Sequence, residues 1–366
     1  MNTKRFPSKS RERIIKAAQT DVLLNNAARR RRTVAIALLT SVLFLAACGT
    51  SAKDAGAADV KKQPVVVAWN STPDLAYLPL LMAVVAMQKD GYNLKAKTLS
   101  GADVVAQALD SNQAQFTSDN ITGAANAVEK GAKIQIVSAA SANEAVWVTT
   151  PGYEDCNDLT GEPVGIFAPA AASGYTKEMN AYFAKRCPNV KPKLVTIPDS
   201  ALRAQALGNG QIVATVLARS DAENLINKSG KTNEYMVTGF RELFPGLADN
   251  YLFANGDVMK NYPKIVTAFV KAQLEAVRQI YKAPSTATDF VDTHLNKKAY
   301  SDEAVKAAIA DKIWYANGSL DDEVGIAGLT ETLSVFKLPG KADKLVNMSF
   351  VGKALKDLGR SEATKR

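Results

Sequence analysis

The chain has a single histidine, His294, and only three cysteines, Cys48, Cys156 and Cys187. No Cys/His cluster stands at metal-ligand spacing, which argues against a zinc centre or a His-based catalytic triad. Excess charge is also missing from most of the molecule. The net charge of +9 over 366 residues is concentrated in residues 1–47, which hold ten basic side chains against Glu12 and Asp21. From Cys48 onward 35 basic residues face 34 acidic ones. A near-neutral body removes the main electrostatic ground for nucleic-acid binding. A run long enough to span a bilayer is absent from the leader, where the apolar stretch 34–47 has 14 residues.

What is present is a globular composition with 47% hydrophobic residues, enough chain for about two domains with cores of their own. Arg29, Arg30, Arg31 and Arg32 precede the short apolar stretch, and small residues follow it, the layout of a secretory signal peptide over residues 1–47. Its end, Leu45-Ala46-Ala47-Cys48-Gly49, resembles the lipobox of bacterial lipoproteins. That resemblance implies cleavage before Cys48 and lipidation of its sulfur, with acyl chains contributing about 0.8 kcal/mol per buried methylene. The long basic region before it fits either a later start of translation or a twin-arginine export route. Residues 48–63 are small and polar and read as a flexible tether.

With Cys48 assigned to lipid, Cys156 and Cys187 form an even pair in an oxidising compartment. Cys156 precedes a strand and Cys187 ends the following helix, and a helix running back along its strand brings the two ends together. A disulfide there would contribute roughly 3 to 4 kcal/mol. Two free buried thiols are the alternative.

Periodicity along the body alternates short strands with helices of about ten to fifteen residues, which predicts βαβ units and parallel-type sheets. Strands are expected at 65–69, 93–99, 114–117, 134–139, 146–149 and 163–167, with helices at 75–89, 101–109 and 121–130 between the early ones. Pro151-Gly152 reads as the boundary between lobes. A second set follows: helix 174–186, strand 193–197, helix 200–207, strand 212–217 and helix 221–228. Strands at 235–238 and 251–254 lead into an almost wholly helical tail. The expected division is 64–150 with 245–366 as lobe 1 and 151–244 as lobe 2.

Across roughly residues 64–300 the order of segments resembles one family. Ser100-Gly101-Ala102-Asp103 belongs to its opening. Residues 106–116, beginning Ala106-Gln107-Ala108-Leu109, resemble its ALxxGxxD element, with Asn112 where glycine is usual. Lys130-Gly131-Ala132-Lys133-Ile134, Leu159-Thr160-Gly161-Glu162-Pro163-Val164 and Tyr262-Pro263-Lys264-Ile265-Val266 match three further family segments in order. The family is that of the solute-binding proteins of nitrate, aliphatic-sulfonate, taurine and thiamine-precursor importers. The resemblance implies an α/β fold of the type II periplasmic binding protein, with two lobes joined by a hinge and a cleft between them. It also implies a monomeric, non-catalytic receptor with no cofactor or metal, whose partners are a small-molecule ligand and the transmembrane permease subunits of an ABC importer. The location expected is the outer side of the cytoplasmic membrane or the periplasm, held by the lipid anchor.

Ligands of open parallel sheets sit beyond the carboxyl ends of the strands. Those ends place Asn70, Ser71, Thr72, Asp74, Tyr77, Ser100, Gly101, Ser118, Asp119, Asn120 and Ser141 on one lobe, and Ala171, Ser173, Asp199 and Arg219 on the other. Each Ser, Thr, Asn or Asp opening a helix can cap it or reach a ligand. Arg219 can hold a carboxylate or sulfonate bidentately, or pair with Asp221 or Glu223 instead. Asp74 and Asp119 can hold an amine, so a zwitterion fits as well as an anion. Trp69 and Phe116 read as core and His294 as a residue outside the rim. Two other readings remain: an enzyme on the same fold, of the thiamine-pyrimidine or menaquinone type, and a sensory lipoprotein without a transporter. The pyrimidine-forming relatives use a cleft histidine and a Cys-rich motif.

Overall fold

Short β-rich runs separated by helices build two five-stranded sheets of the same plan in the computed structural model. The structure describes residues 57–70, 73–99, 101–171, 173–229, 235–244, 248–295, 302–320 and 323–359. The leader, Cys48 and the candidate residues Ser71, Thr72 and Ser100 lie outside these.

The chain enters with helix α1 (Ala57–Lys62), β1 (Val65–Trp69), α2 (Leu78–Lys89), β2 (Leu94–Thr98), α3 (Ala102–Asp110), β3 (Phe116–Asp119), α4 (Ile121–Glu129) and β4 (Ile134–Ala142). It crosses over at Asn143 and Glu144 into β5 (Ala145–Thr149), β6 (Pro163–Ile166), α5 (Gly174–Arg186), β7 (Lys193–Thr196), α6 (Ser200–Gly208), β8 (Ala214–Ala218), α7 (Arg219–Ser229), β9 (Met236–Gly239) and α8 (Phe240–Leu243). It returns as β10 (Ala248–Asn255). Helices α9 (Gly256–Asn261), α10 (Pro263–Lys282), α11 (Ser285–His294), α12 (Asp302–Ala310), α13 (Glu323–Val335), α14 (Ala342–Leu345) and α15 (Ser349–Asp357) follow.

The first sheet runs β2-β1-β3-β10-β4 and the second β7-β6-β8-β5-β9. In each, four strands run in one direction and one, β10 or β5, is antiparallel, supplied by a segment that has just crossed between lobes. Two structural differences from the sequence reading follow. The strand 145–149 belongs to the second sheet, so the crossing lies at Asn143 and Glu144 rather than at Pro151-Gly152. Part of the expected tether is also ordered, because α1 forms and Lys61 Nζ donates to the Asp90 carbonyl at 2.7 Å.

Apolar periodicity explains the packing of lobe 1. Helix α10 buries Ile265, Val266, Phe269, Val270, Leu274 and Val277, and Phe116 of β3 meets Phe269 with ring centroids 4.8 Å apart. Each fully buried side chain of this kind contributes about 1.5 to 3 kcal/mol. Lobe 2 has a separate core around Trp147, Phe183 and Phe240. Cys156 and Cys187 are joined in a disulfide at its outer end, with Cα atoms 6.0 Å apart. The helical tail buttresses the site turn: Trp314 Nε1 donates to the Leu75 carbonyl at 3.1 Å, and Tyr281 Oη donates to the Trp314 carbonyl at 2.8 Å.

Candidate functional site

Between the lobes lies a cavity of about 520 Å³, walled by the carboxyl ends of strands and the helices that follow them. Lobe 1 contributes Asn70 after β1, Asp74 and Tyr77 around a 3-10 turn, Asp119 and Asn120 after β3, and Asn250 from β10. Lobe 2 contributes Phe167, Ser173, Tyr175, Asp199, Ser200, Arg203 and Asp221.

Several of these residues serve two purposes at once. Asp74 caps the 3-10 turn by accepting from Ala76 N at 2.9 Å. Asn120 caps α4 through Thr122 N at 2.9 Å, Ser173 caps α5 through Thr176 N at 3.1 Å, and Asp199 caps α6 through Leu202 N at 2.9 Å. These capping residues line the cavity, so the positive ends of α4, α5 and α6 lie at its wall. The choice between cap and cavity wall, open in the sequence, resolves into both.

Asp119 is the centre of the lobe 1 wall. Its Oδ1 accepts from Asn70 Nδ2 at 2.7 Å, Asn120 N at 2.7 Å and Asn120 Nδ2 at 3.1 Å. Antiparallel pairing sets Tyr251 opposite Asp119, which brings neighbouring Asn250 to the wall, and Asn250 Nδ2 donates to Ser141 Oγ at 3.3 Å. Burial pushes the Asp119 carboxyl up to about 7 despite those donors. Asp74 is likewise pushed up to about 7, first by burial and then by the charge of Asp221 across the cleft. Burial also raises Asp221, against the hydrogen bond from Ser200.

Arg203 is the cation of the lobe 2 wall. It is only 1% exposed. Its Nε donates to the Val216 carbonyl at 3.0 Å and Nη1 to the Ile197 carbonyl at 2.8 Å, while Nη2 is buried without a partner among the described residues. The guanidinium lies 5.9 Å from the centre of the Phe167 ring. Burial draws its pKa down to about 10, which leaves it charged at neutral pH.

Of the residues expected at the site, Asn70, Asp74, Tyr77, Asp119, Asn120, Ser173 and Asp199 line the cavity. Four others do not. Gly101 opens α3 with φ of 101°, a conformation that favours glycine, and stands off the wall. Ser118 and Ser141 are fully buried within their sheet, Ser141 acting through Asn250. Ala171 is exposed on a turn.

Arg219 is a correction: it starts α7, is not among the residues lining the cavity, and pairs with Asp311 of the tail, Nε to Oδ2 at 3.7 Å. Asp221 is not its ion-pair partner among the described residues, whereas the Glu223 carboxyl, pushed up by burial, is held back by the Arg219 charge nearby. His294 is the opposite correction, since it lines the cavity mouth, stacked on Phe290 with ring centroids 4.2 Å apart. Arg203 and Asn250 escaped the sequence reading. Arg203 sits three residues after Ser200 on one helix face, the spacing that could have placed it beside the cleft. Trp69 borders the cavity but is buried against Tyr77, and Phe116 is core, as expected.

Two lobes of one plan enclosing a polar cavity invite comparison with known proteins. The family described as NMT1/THI5 like matches residues 88–287. The chain belongs to the NMT1/THI5-like family. Among curated proteins, none matches this sequence at a significant level. Solved structures similar to this family member include a protein of Bordetella bronchiseptica RB50, with a TM-score of 0.67 and 20% identity over 82% of this chain and 99% of that one. The periplasmic sulfonate-binding protein SsuA from Methylobacillus flagellatus KT is similar with a TM-score of 0.61 and 15% identity, over 82% and 96%. The periplasmic nitrate-binding protein NrtA from Synechocystis PCC 6803 is similar with a TM-score of 0.61 and 12% identity, over 81% and 88%. These likenesses establish the fold of this family member as the two-lobed type II periplasmic binding protein. Among its described residues the one acid-and-thiol cluster is Asp155 beside Cys156 and Cys187, whose sulfurs are already bonded to each other.

Proposed function

We propose that the chain is the extracytoplasmic receptor of an ABC importer, which captures a small organic anion or zwitterion by closing its two lobes and delivers it to the permease subunits. The observation that carries this reading is the buried cation Arg203, whose Nη2 has no partner among the described residues, in the lining of a cavity walled by both lobes. A buried N–H group without an acceptor costs about 1 to 3 kcal/mol, which an acidic ligand group would recover. Three helix N-termini at the cavity wall favour such a group further. Arg203 takes the role that the sequence reading gave to Arg219. The crossing at Asn143 and Glu144 belongs to the hinge expected for closure.

In this reading Cys48 carries the lipid and residues 49–56 the remaining tether, on the outer side of the cytoplasmic membrane or in the periplasm. The Cys156–Cys187 disulfide is consistent with an oxidising compartment. The receptor acts as a monomer.

A catalytic reading on the same fold has one observation in its favour, His294 at the cavity mouth. Against it, the two cysteines of the body are tied together at the far end of lobe 2. Thermal melting of the full chain against sulfonates, carboxylates, amino acids, nitrate and pyrimidines tests the receptor reading. A ligand at a hundred times its Kd adds about 2.7 kcal/mol, several degrees for a protein of this size. Recovery of that compound unchanged after prolonged incubation supports a receptor, and stoichiometric or faster conversion supports an enzyme. No shift with any compound class counts against both.

A further inference from the structure

Four aspartates line the cavity, Asp74 and Asp119 from lobe 1 and Asp199 and Asp221 from lobe 2. The basic side chains on the same walls are Arg203, Lys97 and His294; Lys97 and His294 are exposed at the mouth and Arg203 alone is buried. Two unmet needs therefore share one cavity. All three hydrogen bonds that described residues make to Asp119 fall on Oδ1, and among them Oδ2 has no donor. Arg203 keeps Nε and Nη1 on backbone carbonyls and leaves Nη2 without an acceptor among the described residues.

A simple inorganic or organic anion meets only the second need. It would leave the carboxylates of Asp74 and Asp221, one from each lobe, opposed across the cleft, and their repulsion resists closure. A cationic group placed between them reverses the sign of that interaction, so that the ligand itself draws the lobes together. We propose that the cleft takes an amino-bearing organic acid, its ammonium group held between Asp74 and Asp221 with Asp119 beside it, and its acid group on Arg203.

This assignment rests on the receptor reading and names the class of ligand that the receptor takes. Phe167, Tyr175 and Tyr77 add aromatic side chains to the lining of the same cavity. The raised carboxyls of Asp74 and Asp119 support the same geometry: near neutral pH each holds a proton part of the time, and an ammonium group replaces that proton. Binding accordingly releases protons and tightens as pH rises from 6 to 8. Asp199 and Asp221 on the facing helices act in the same direction, and Lys97, His294 and Arg203 oppose it.

The test uses the full chain and matched trios of compounds: monoamino and diamino carboxylic and sulfonic acids, each with its deaminated acid and its amine lacking the acid group. Melting shifts identify the binders, and calorimetry in two buffers of different ionisation enthalpy measures affinity and proton release. A binder carrying both groups is expected, with at least tenfold loss on removing either one. Asp221→Asn and, separately, Asp74→Asn should each cost at least tenfold for the amino acid, and proton release should shrink in Asp74→Asn. A deaminated acid that binds as tightly as its amino counterpart overturns the assignment and leaves the receptor reading standing. A panel in which no amino-bearing compound binds, or in which calcium or zinc ions alone stabilise the protein, also overturns it. If sulfonates, nitrate and pyrimidines are silent as well, the receptor reading falls with it.

Discussion

Gly174, the first residue of α5 in lobe 2, lies directly against the side-chain amide of Asn120 in lobe 1. A Cβ at Gly174 would stand 2.9 Å from Asn120 Cγ and 3.1 Å from each of its terminal atoms. The amide has little room to yield, because its oxygen caps α4 and its nitrogen donates to Asp119. The lobes thus meet at a contact that only glycine allows, beside the acidic wall of the cavity.

That contact makes Gly174→Ala a test of closure. Overpacking of this kind costs about 1 to 3 kcal/mol, here charged against the closed arrangement of the lobes. Calorimetric affinity for the ligand should fall tenfold or more, with little change in the melting temperature of the free protein. Unchanged affinity would mean that the lobes do not close on this contact.

The raised carboxyls set a pH dependence of stability. Folded Asp74 and Asp119 hold protons up to about 7, whereas in the unfolded chain they lose them near the ordinary 3.8. The folded state therefore binds more protons over this interval, and stability falls as pH rises from about 4 through 7. The melting temperature of ligand-free protein should decline between pH 5 and pH 8. Asp119→Asn keeps an acceptor for Asn70 and Asn120 and removes the charge, so its decline should be shallower and its stability at pH 8 higher than that of the original protein. Parallel curves for the two proteins would contradict this.

Arg203 and Arg219 separate cleanly. Arg203→Met keeps the aliphatic stem, removes the cavity cation and should weaken binding of any acidic ligand at least tenfold. It also strips donors from the Val216 and Ile197 carbonyls, so a loss of about 1 to 3 kcal/mol in stability is expected. Arg219→Ala removes a partly exposed ion pair with Asp311, worth about 0 to 1 kcal/mol, and should leave affinity within twofold. Titrations of both variants decide the matter. Equal losses would return Arg219 to the cleft.

The Cys156–Cys187 disulfide closes a loop with a sequence separation of 31, for which the chain-entropy account gives about 3 to 4 kcal/mol. Reduction should lower the melting temperature by about 6 to 16 °C at the 2 to 4 °C per kcal/mol usual for this size. Denatured, unreduced full chain should expose at most the Cys48 thiol. Three titratable thiols before reduction would show that the bond does not form.

The order of strands and helices was legible because each element carries its own period of apolar residues, as in β1 with Val65 and Val67 or α10 with its Ile265, Phe269 and Val277 stripe. Helix openings were legible too, since a capping residue such as Asn120 or Asp199 has to precede the first turn. Three features depend on contacts remote in sequence and were not readable. The lobe boundary moved because β5 pairs with β8 and β9 rather than with its predecessor β4. Arg219 paired with Asp311, 92 positions later in the chain, and His294 came to the cavity mouth at the end of a tail helix. Arg203 stayed hidden because an arginine in a helix reads as a solvated residue until the strand carbonyls that it meets are known.

In the proposed receptor, ligand is gripped by both lobes of this cavity. Hydrogen exchange of the full chain, with and without the compound that raises its melting temperature most, tests it directly. A grip by both lobes slows exchange in residues 74–77 and 119–122 of lobe 1 together with 199–203 and 218–221 of lobe 2. Protection confined to one lobe, or lying elsewhere on the surface, would contradict it.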